Sequence, residues 1–411
     1  MEPNILNIHE YKIVLAMIGL PARGKSYTAN RLANFMNWCG LPCRVFNAGE
    51  YRRALYGTNH DYTFFDSSND IVHKQKEYIC KVCLTELFNW LINGGNIAIF
   101  DATNSTQKRR SFLIDQCNQQ KVKIKLIFIE LIADDEKTIK QNLTMKMKSP
   151  DYIDKTEEFA INDFTRRTEQ YEKIYQQITN KEKIGFIKKF NVNSQILIDN
   201  VSGTRESIII SYLINLKIVD QPVYITRHGE SYFNRQNKIG GDSDITENGQ
   251  NYAKKLSDYL NLELKNKEFI IITSCLKRTI QTAAFIQSEN SKCIQSRLLN
   301  EIHAGIYEGR IISDLDKTII SQRNNNKLEY RYQEGESYLD LFERLQNFIL
   351  QILSIDLPIV IVGHQAINRI LLGYFLRIKR IDVPHIENNL NEVIKLSPNA
   401  KGYTKEVINL K

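Results

Sequence analysis

Six short apolar runs set the limits on what this chain can fold into. Ile13–Ile18, Ile97–Phe100, Ile124–Ile129, Val223–Thr226, Phe269–Thr273 and Ile359–Val362 are rich in β-branched residues, and stretches of helical length separate them. Continuous runs of this length read as fully buried parallel strands, and their alternation with helices predicts right-handed crossovers. Each run leads into a residue with chemistry or freedom to offer: Gly19, Asp101, Glu130, Arg227 with His228, Ser274, and Gly363 with His364. In an open α/β sheet that is the carboxyl edge, where ligands bind.

A chain of 411 residues with 42% hydrophobic and 25% charged content is too long for one ordinary domain and apolar enough to bury two cores. Arg205–Leu216 reads as a helix, and Asp220-Gln-Pro222 breaks the pattern before the next strand. The expected fold class is therefore α/β in two closely packed domains, 1–218 and 219–411, each a mostly parallel sheet flanked by helices. Asn324-Asn-Asn326 is expected in a loop. The charge of +8 is spread along the chain without a basic run, so nucleic acid is not expected and small anionic substrates account for the excess. Seven irregularly spaced cysteines, with no second pair at zinc spacing beside Cys80-x-x-Cys83, read as buried thiols. With no signal peptide and no apolar run of membrane length, a cytoplasmic setting is expected. The first strand begins about a dozen residues in, so long regulatory tails are not expected either.

Two motifs handle phosphate. Gly19-Leu20-Pro21-Ala22-Arg23-Gly24-Lys25-Ser26 matches G-x-x-x-x-G-K-[ST], with a helix from Tyr27 behind it. Its backbone N–H groups suit the phosphates of a nucleoside triphosphate, Lys25 the β- and γ-phosphates, and the Ser26 hydroxyl a Mg²⁺ ion. Asp101, at the end of a second buried strand, is the matching magnesium carboxylate. Three arginine pairs, Arg52-Arg53, Arg109-Arg110 and Arg166-Arg167, each trail a strand end or open a helix and converge on an anionic acceptor.

In the second half, Arg227-His228 at a strand end suits a histidine that takes a phosphoryl group. Such a nucleophile needs cations for the phosphoryl oxygens and an acid for the leaving oxygen. Arg278 and His364 are the expected partners, and Glu301 is the expected acid.

With these residues in view, nearly the whole chain resembles the 6-phosphofructo-2-kinase/fructose-2,6-bisphosphatase family. The similar segments are Gly19–Ser26, Phe100-Asp-Ala-Thr-Asn104, Ser149-Pro-Asp-Tyr-Ile-Asp154 and Arg227-His-Gly-Glu-Ser231, in that order. The resemblance implies a P-loop kinase that moves the ATP γ-phosphoryl to the 2-hydroxyl of fructose 6-phosphate, followed by a histidine phosphatase that removes it from fructose 2,6-bisphosphate. It implies sugar-phosphate contacts from Arg52, Thr103, Arg109, Lys146, Arg167 and Tyr171, and phosphatase substrate contacts from Arg227, Asn234 and Gly240. It assigns the 6-phosphate to Arg323, Lys327, Tyr338, Gln365 and Arg369, given a three-residue deletion before Arg323. A cytosolic regulator of glycolysis, expected as a homodimer, follows from it.

Four positions depart from the family pattern. His73 stands for an Arg in the helix ahead of Asp101, Ala133 for a Cys, His303 for an Asp near Glu301, and Ile312 for a substrate-binding Tyr. The first is expected to weaken a phosphate contact, the third to perturb Glu301 and the last to weaken substrate binding. Three competing readings remain at this level: a chain with one activity, a non-catalytic sugar-phosphate sensor, and a general P-loop kinase fused to a mutase-like phosphatase. The intact P-loop, Asp101, His228 and His364 weigh against the first two, and the arginine set against the third.

Overall fold

The apolar runs become the central strands of two six-stranded sheets. The computed structural model describes residues 11–58, 64, 70–135, 151–152, 156–191, 195–217, 221–399 and 402–410. The chain divides into two compact units, Met1–Leu216 and Lys217–Lys411. Lys146 and part of the Ser149–Asp154 segment lie outside the described residues.

In the first unit the strands are β1 Lys12–Ile18, β2 Cys43–Asn47, β3 Ile97–Asp101, β4 Ile124–Ile132, β5 Gly185–Phe190 and β6 Gln195–Asp199, in the order β2-β3-β1-β4-β5-β6. All neighbours are parallel except β5 and β6. Helices α1 Lys25–Trp38, α2 Ala48–Tyr56, α3 Asp70–Ile92, α4 Gln107–Asn118, α5 Glu157–Glu172 and α6 Thr204–Asn215 are the helical elements described in this unit. Caps mark their starts: Asn47 accepts from Glu50 N, Thr106 from Arg109 N and Thr156 from Phe159 N. The core lies between sheet and helices, with Val14, Ala16 and Ile18 of β1 against Phe100, Phe128, Cys83 and Leu87.

The second unit orders its strands β12-β11-β7-β10-β8-β9, where β7 is Val223–Arg227, β8 Phe269–Thr273, β9 Ser291–Gln295, β10 Ile359–Gly363, β11 Glu392–Asn399 and β12 Gly402–Asn409. The four strands β7, β10, β8 and β9 are parallel, and β11 and β12 add antiparallel pairs at one side. The helices are α7 Tyr232–Arg235, α8 Glu247–Glu263, α9 Lys277–Ala284, α10 Lys317–Asn325, α11 Tyr338–Ile352 and α12 Gln365–Leu376. Asn324 and Asn325 close α10 and are not in a loop, because Asp316 caps that helix and only Asn326 leaves it. Among the described residues no helix is long and apolar enough to cross a membrane.

Candidate active sites

Parallel pairing brings the first set of residues to one sheet edge. Asn47 faces Asp101 in register across β2 and β3. The Asn47 amide donates to an Asp101 carboxylate oxygen and lies 3.4 Å from the Ser26 hydroxyl, so one side chain spans the two expected metal ligands. The Gly19–Ser26 loop follows β1. Gly19 has φ 143°, and a Cβ there would lie 2.6 Å from the Leu131 carbonyl oxygen, so no other residue fits. Ala22 also sits at positive φ, 51°, a strain typical of a functional loop. Gly24 is left-handed at the start of α1, and the Lys25 ammonium folds back on the Leu20 carbonyl at 2.6 Å. Gly19 N donates to the Thr103 carbonyl and Asn104 to that of Met17, which ties the phosphate loop to the segment after Asp101.

Beside it, one member of each arginine pair turns inward. The Tyr171 hydroxyl meets Thr103 and lies in the field of Arg167, Arg52 and Arg109, while burial pushes its pKa up. Arg52 and Arg167 are buried and held by Asp151 at 2.6 Å and Asp163 at 2.7 Å. Arg110, in contrast, is fully buried under the loop, bidentate to Glu182 and bonded to the Asn104 and Gln176 carbonyls. Arg166 is exposed, and Arg166 and Arg167 lie well inside α5 and do not open it. His73 stands apart from this cluster. It is half exposed at the start of α3 and 3.8 Å from Glu77, whereas Lys76 lies 5.7 Å over the Tyr171 ring. Among the described residues, the α3 cation that reaches this cluster is Lys76, three residues further on. Ala133 is buried just past β4.

The second site forms where β7 and β10 pair. Gly363 is opposite Arg227, and His228 N donates to the Gly363 carbonyl, so His228 and His364 emerge side by side with ring centroids 5.2 Å apart. His228 Nδ1 donates to the Gly229 carbonyl at 2.8 Å, which leaves the lone pair on Nε2, where Arg278 Nε approaches to 3.1 Å. Burial, then the charges of Arg278 and Arg227, hold its pKa well below the usual histidine range. The same causes, led by burial, keep His364 neutral. The Ser274 hydroxyl accepts from Leu276 N and lies 2.8 Å from His364 Nε2, within hydrogen-bond distance. His364 Nδ1 and Arg227 Nε are buried without a hydrogen-bond partner in the structure. An unmet buried guanidinium donor such as Arg227 Nε asks for an anion.

Glu301 lies at the start of α12, accepting from Ala366 N at 3.2 Å and from its neighbour Ile302 N, and within the field of Arg227 and Arg278. A cavity of about 450 Å³ opens on Arg278, Glu301, His303 and Gly240. His303 Nδ1 accepts from Gly305 N at 3.1 Å, so the imidazole takes a turn-stabilising role beside the acid. Asn234 spends its side-chain oxygen on a reciprocal cap with Ser231. Arg369 donates to the Ile386 carbonyl and to the Tyr338 hydroxyl, Lys327 to the Pro384 carbonyl, and Arg323 lies over the Tyr332 ring. Burial, with Arg369 and Arg323 close by, lowers Lys327 to about 8. Gln365 opens α12 next to His364. Ile312 is 46% exposed in a short turn.

Sequence reasoning missed Asn47, Lys76, Asp151 and Asp163 in the first unit and Ser274 in the second. Two of them carried a signal: Ser274 by its place at the end of a buried run, and Asp151 by its place in the family-like Ser149–Asp154 segment.

Residues 2–220 match the family model described as 6-phosphofructo-2-kinase, and residues 223–411 that of the histidine phosphatase superfamily, branch 1. The chain is 36% identical over 405 residues to 6-phosphofructo-2-kinase/fructose-2,6-bisphosphatase 3 of Rattus norvegicus, covering 97% of this chain and 72% of the relative. It is 35% identical over 397 residues to 6-phosphofructo-2-kinase/fructose-2,6-bisphosphatase of Arabidopsis thaliana, covering 95% of this chain but only 53% of that longer relative. A Saccharomyces cerevisiae relative, 34% identical over 406 residues (97% of this chain, 88% of the relative), is named for the phosphatase alone, fructose-2,6-bisphosphatase.

Proposed function

The chain belongs to the 6-phosphofructo-2-kinase/fructose-2,6-bisphosphatase family, a kinase joined to a phosphatase, and on that premise we propose which residues carry each activity. The observation that carries the assignment is the buried, neutral His228 between Arg227 and Arg278, in a chain whose first sheet ends in a P-loop.

In the first unit the Gly19–Ser26 backbone cradles ATP, and Arg52, Thr103, Arg109, Arg167 and Tyr171, together with Lys76, orient fructose 6-phosphate with its 2-hydroxyl toward the γ-phosphate. The buried Asp101 carboxylate and the Ser26 hydroxyl, bridged by one asparagine amide, fit a hard cation that prefers oxygen, so they are the residues that would hold Mg²⁺. A magnesium ion there neutralises phosphate charge as it transfers. Among the described residues no cluster of three or more His, Cys, Asp or Glu offers a separate metal centre.

In the second unit His228 Nε2 attacks the 2-phosphorus, and the bond from phosphorus to the sugar oxygen breaks as Glu301 protonates that oxygen. Arg227, Arg278 and His364 hold the phosphoryl oxygens throughout. Water, deprotonated by Glu301, then displaces His228 and releases phosphate. Asn234 and Gly240 line the sugar side, and Arg323, Lys327, Tyr338, Gln365 and Arg369 hold the 6-phosphate.

One purified preparation should both form fructose 2,6-bisphosphate from ATP and fructose 6-phosphate and hydrolyse it. Hydrolysis without any synthesis would favour the single-activity reading that the name of the yeast relative brings to mind. The enzyme operates in the cytoplasm as a homodimer. Its outermost strand β6 leaves Leu197 46% and Ile198 38% exposed, a suitable edge for a second copy, and a monomer by light scattering would refute that assembly.

Lys76→Ala should raise the KM for fructose 6-phosphate about tenfold, from the loss of one close cation, while His73→Ala changes it less than about twofold. The reverse order in the two KM values would return the contact to His73.

Lys327 makes the phosphatase sensitive to alkali. With its pKa lowered to about 8, the free enzyme carries this charge below that pH and loses it as pH rises through it. The kcat/KM for fructose 2,6-bisphosphate should therefore fall above about pH 8, and Lys327→Arg, charged throughout, should move that limb upward. An unmoved limb in the variant would assign it to another group.

A further inference from the structure

Glu308 lies in the wall of the phosphatase cavity, seven residues past the acid, and touches neither His228 nor any expected phosphate position. Its two carboxylate oxygens are committed to two different loops. Oε1 accepts from Ala304 N at 2.6 Å, on the segment that carries Glu301, and Oε2 accepts from Gly241 N. Gly240 and Gly241 are both left-handed, with φ 62° and 68°. A Cβ on Gly240 would lie 2.2 Å from the Glu308 carboxylate, so the carboxylate is seated directly against that turn. The same turn presents the Gly241 carbonyl to Arg278 Nη1 at 2.6 Å, and Arg278 Nε then meets His228 Nε2 at 3.1 Å. Carboxylate, turn, guanidinium and imidazole form one chain of hydrogen bonds.

The geometry points to Glu308 as a positioning residue for the phosphatase: it fixes the Gly240–Gly241 turn against the acid-bearing loop and thereby aims Arg278 at the phosphoryl group on His228. The inference rests on the phosphohistidine reading above. Arg278 lies between an imidazole acceptor and a carbonyl acceptor, so its guanidinium plane is set by where that carbonyl stands. A shift of the turn by about 1 Å would misalign the cation with the oxygens it must hold, and such misplacements cost up to about 100-fold in rate. A glutamine at 308 can accept only one of the two N–H bonds and turns an NH₂ toward the other, which releases one loop from the other.

The test is rapid-quench transfer of label from fructose 2,6-bisphosphate, labelled at the 2-phosphate, to the full-length chain. Glu308→Gln should slow phosphorylation at saturating substrate about 10- to 100-fold and change the KM by less than about threefold. In an Arg278→Ala background the same substitution should cost less than about twofold, because the residue through which it acts is already gone. Equal losses in both backgrounds would reduce Glu308 to a general loop support and overturn the inference. Should Glu308→Gln not fold, Glu308→Asp, which keeps the charge and loses one of the two bonds, carries the same comparison. Absence of label on the wild-type chain would remove the phosphohistidine reading and the role of Glu308 with it. Label on the wild type with an unchanged rate in Glu308→Gln would remove the role of Glu308 alone.

Discussion

Replacing His228 with alanine should abolish hydrolysis of fructose 2,6-bisphosphate, by at least about 10³-fold, and leave ATP-dependent synthesis intact. The size of the effect follows from the absence of a substitute. His364 lies beside His228, but its Nε2 is engaged by Ser274, whereas His228 Nε2 faces the Arg278 cation. After quenching, label from the 2-phosphate should be found on the wild-type protein in acid-labile, base-stable form, and be missing from His228→Ala. Glu301→Gln should slow both formation and breakdown of that species, about 10²-fold or more, since one carboxyl acts first as acid and then as base. Label appearing on His364, or hydrolysis persisting in His228→Ala, would overturn the assignment.

Lys25→Ala should have the complementary effect. Removing the cation that meets the β- and γ-phosphates is expected to cut synthesis of fructose 2,6-bisphosphate by about 10³-fold, while hydrolysis stays within about twofold, since His228 and its partners belong to the other unit. Asp101→Asn should behave in the same way and weaken the magnesium dependence. Synthesis within a few-fold of wild type in Lys25→Ala would sink the cradle assignment; a normal magnesium response in Asp101→Asn would remove its metal role.

How far the sequence could be read depended on where each strand lies in its sheet. The runs read as strands became β1, β3, β4, β7, β8 and β10, which have a neighbour on both sides and are apolar on both faces. The edge strands β2, β6, β9 and β12 alternate or are polar, because one side meets solvent; Ser291-Lys-Cys-Ile-Gln295 has no apolar run to find. Strand β5 is interior, yet Lys188 and Lys189 interrupt it. Both are buried, the first paired with Glu130 and the second bonded to the Leu213 and Leu216 carbonyls at the end of α6. No pattern rule anticipates two buried lysines that find partners.

The sites divide in the same way. Gly19–Ser26 and Arg227-His228 were legible because their geometry is local, one loop and one strand end. The choice between His73 and Lys76 depends on the roll of α3 against Tyr171, which three residues of helix alter and the sequence does not mark. Asn47, Asp151 and Glu308 are ordinary polar residues until folding brings their partners to them across 54, 99 and 67 positions.

The two proposed sugar-phosphate pockets are wired differently. In the kinase pocket, buried Arg52 and Arg167 already have carboxylate companions in Asp151 and Asp163. In the phosphatase pocket, Arg323, Lys327 and Arg369 lean on carbonyls and tyrosines, and among the described residues they form no ion pair. On the assignment proposed above, an arriving phosphate would meet arginines already paired with carboxylates in one pocket and cations without a carboxylate partner in the other. Binding in the second pocket would then be the more sensitive of the two to dissolved ions. Titrated with potassium chloride, the KM for fructose 2,6-bisphosphate should climb more steeply than that for fructose 6-phosphate, and parallel slopes would refute the distinction. On that assignment, the balance between making and removing the bisphosphate would shift with ionic strength, set by which cations the fold neutralises in advance.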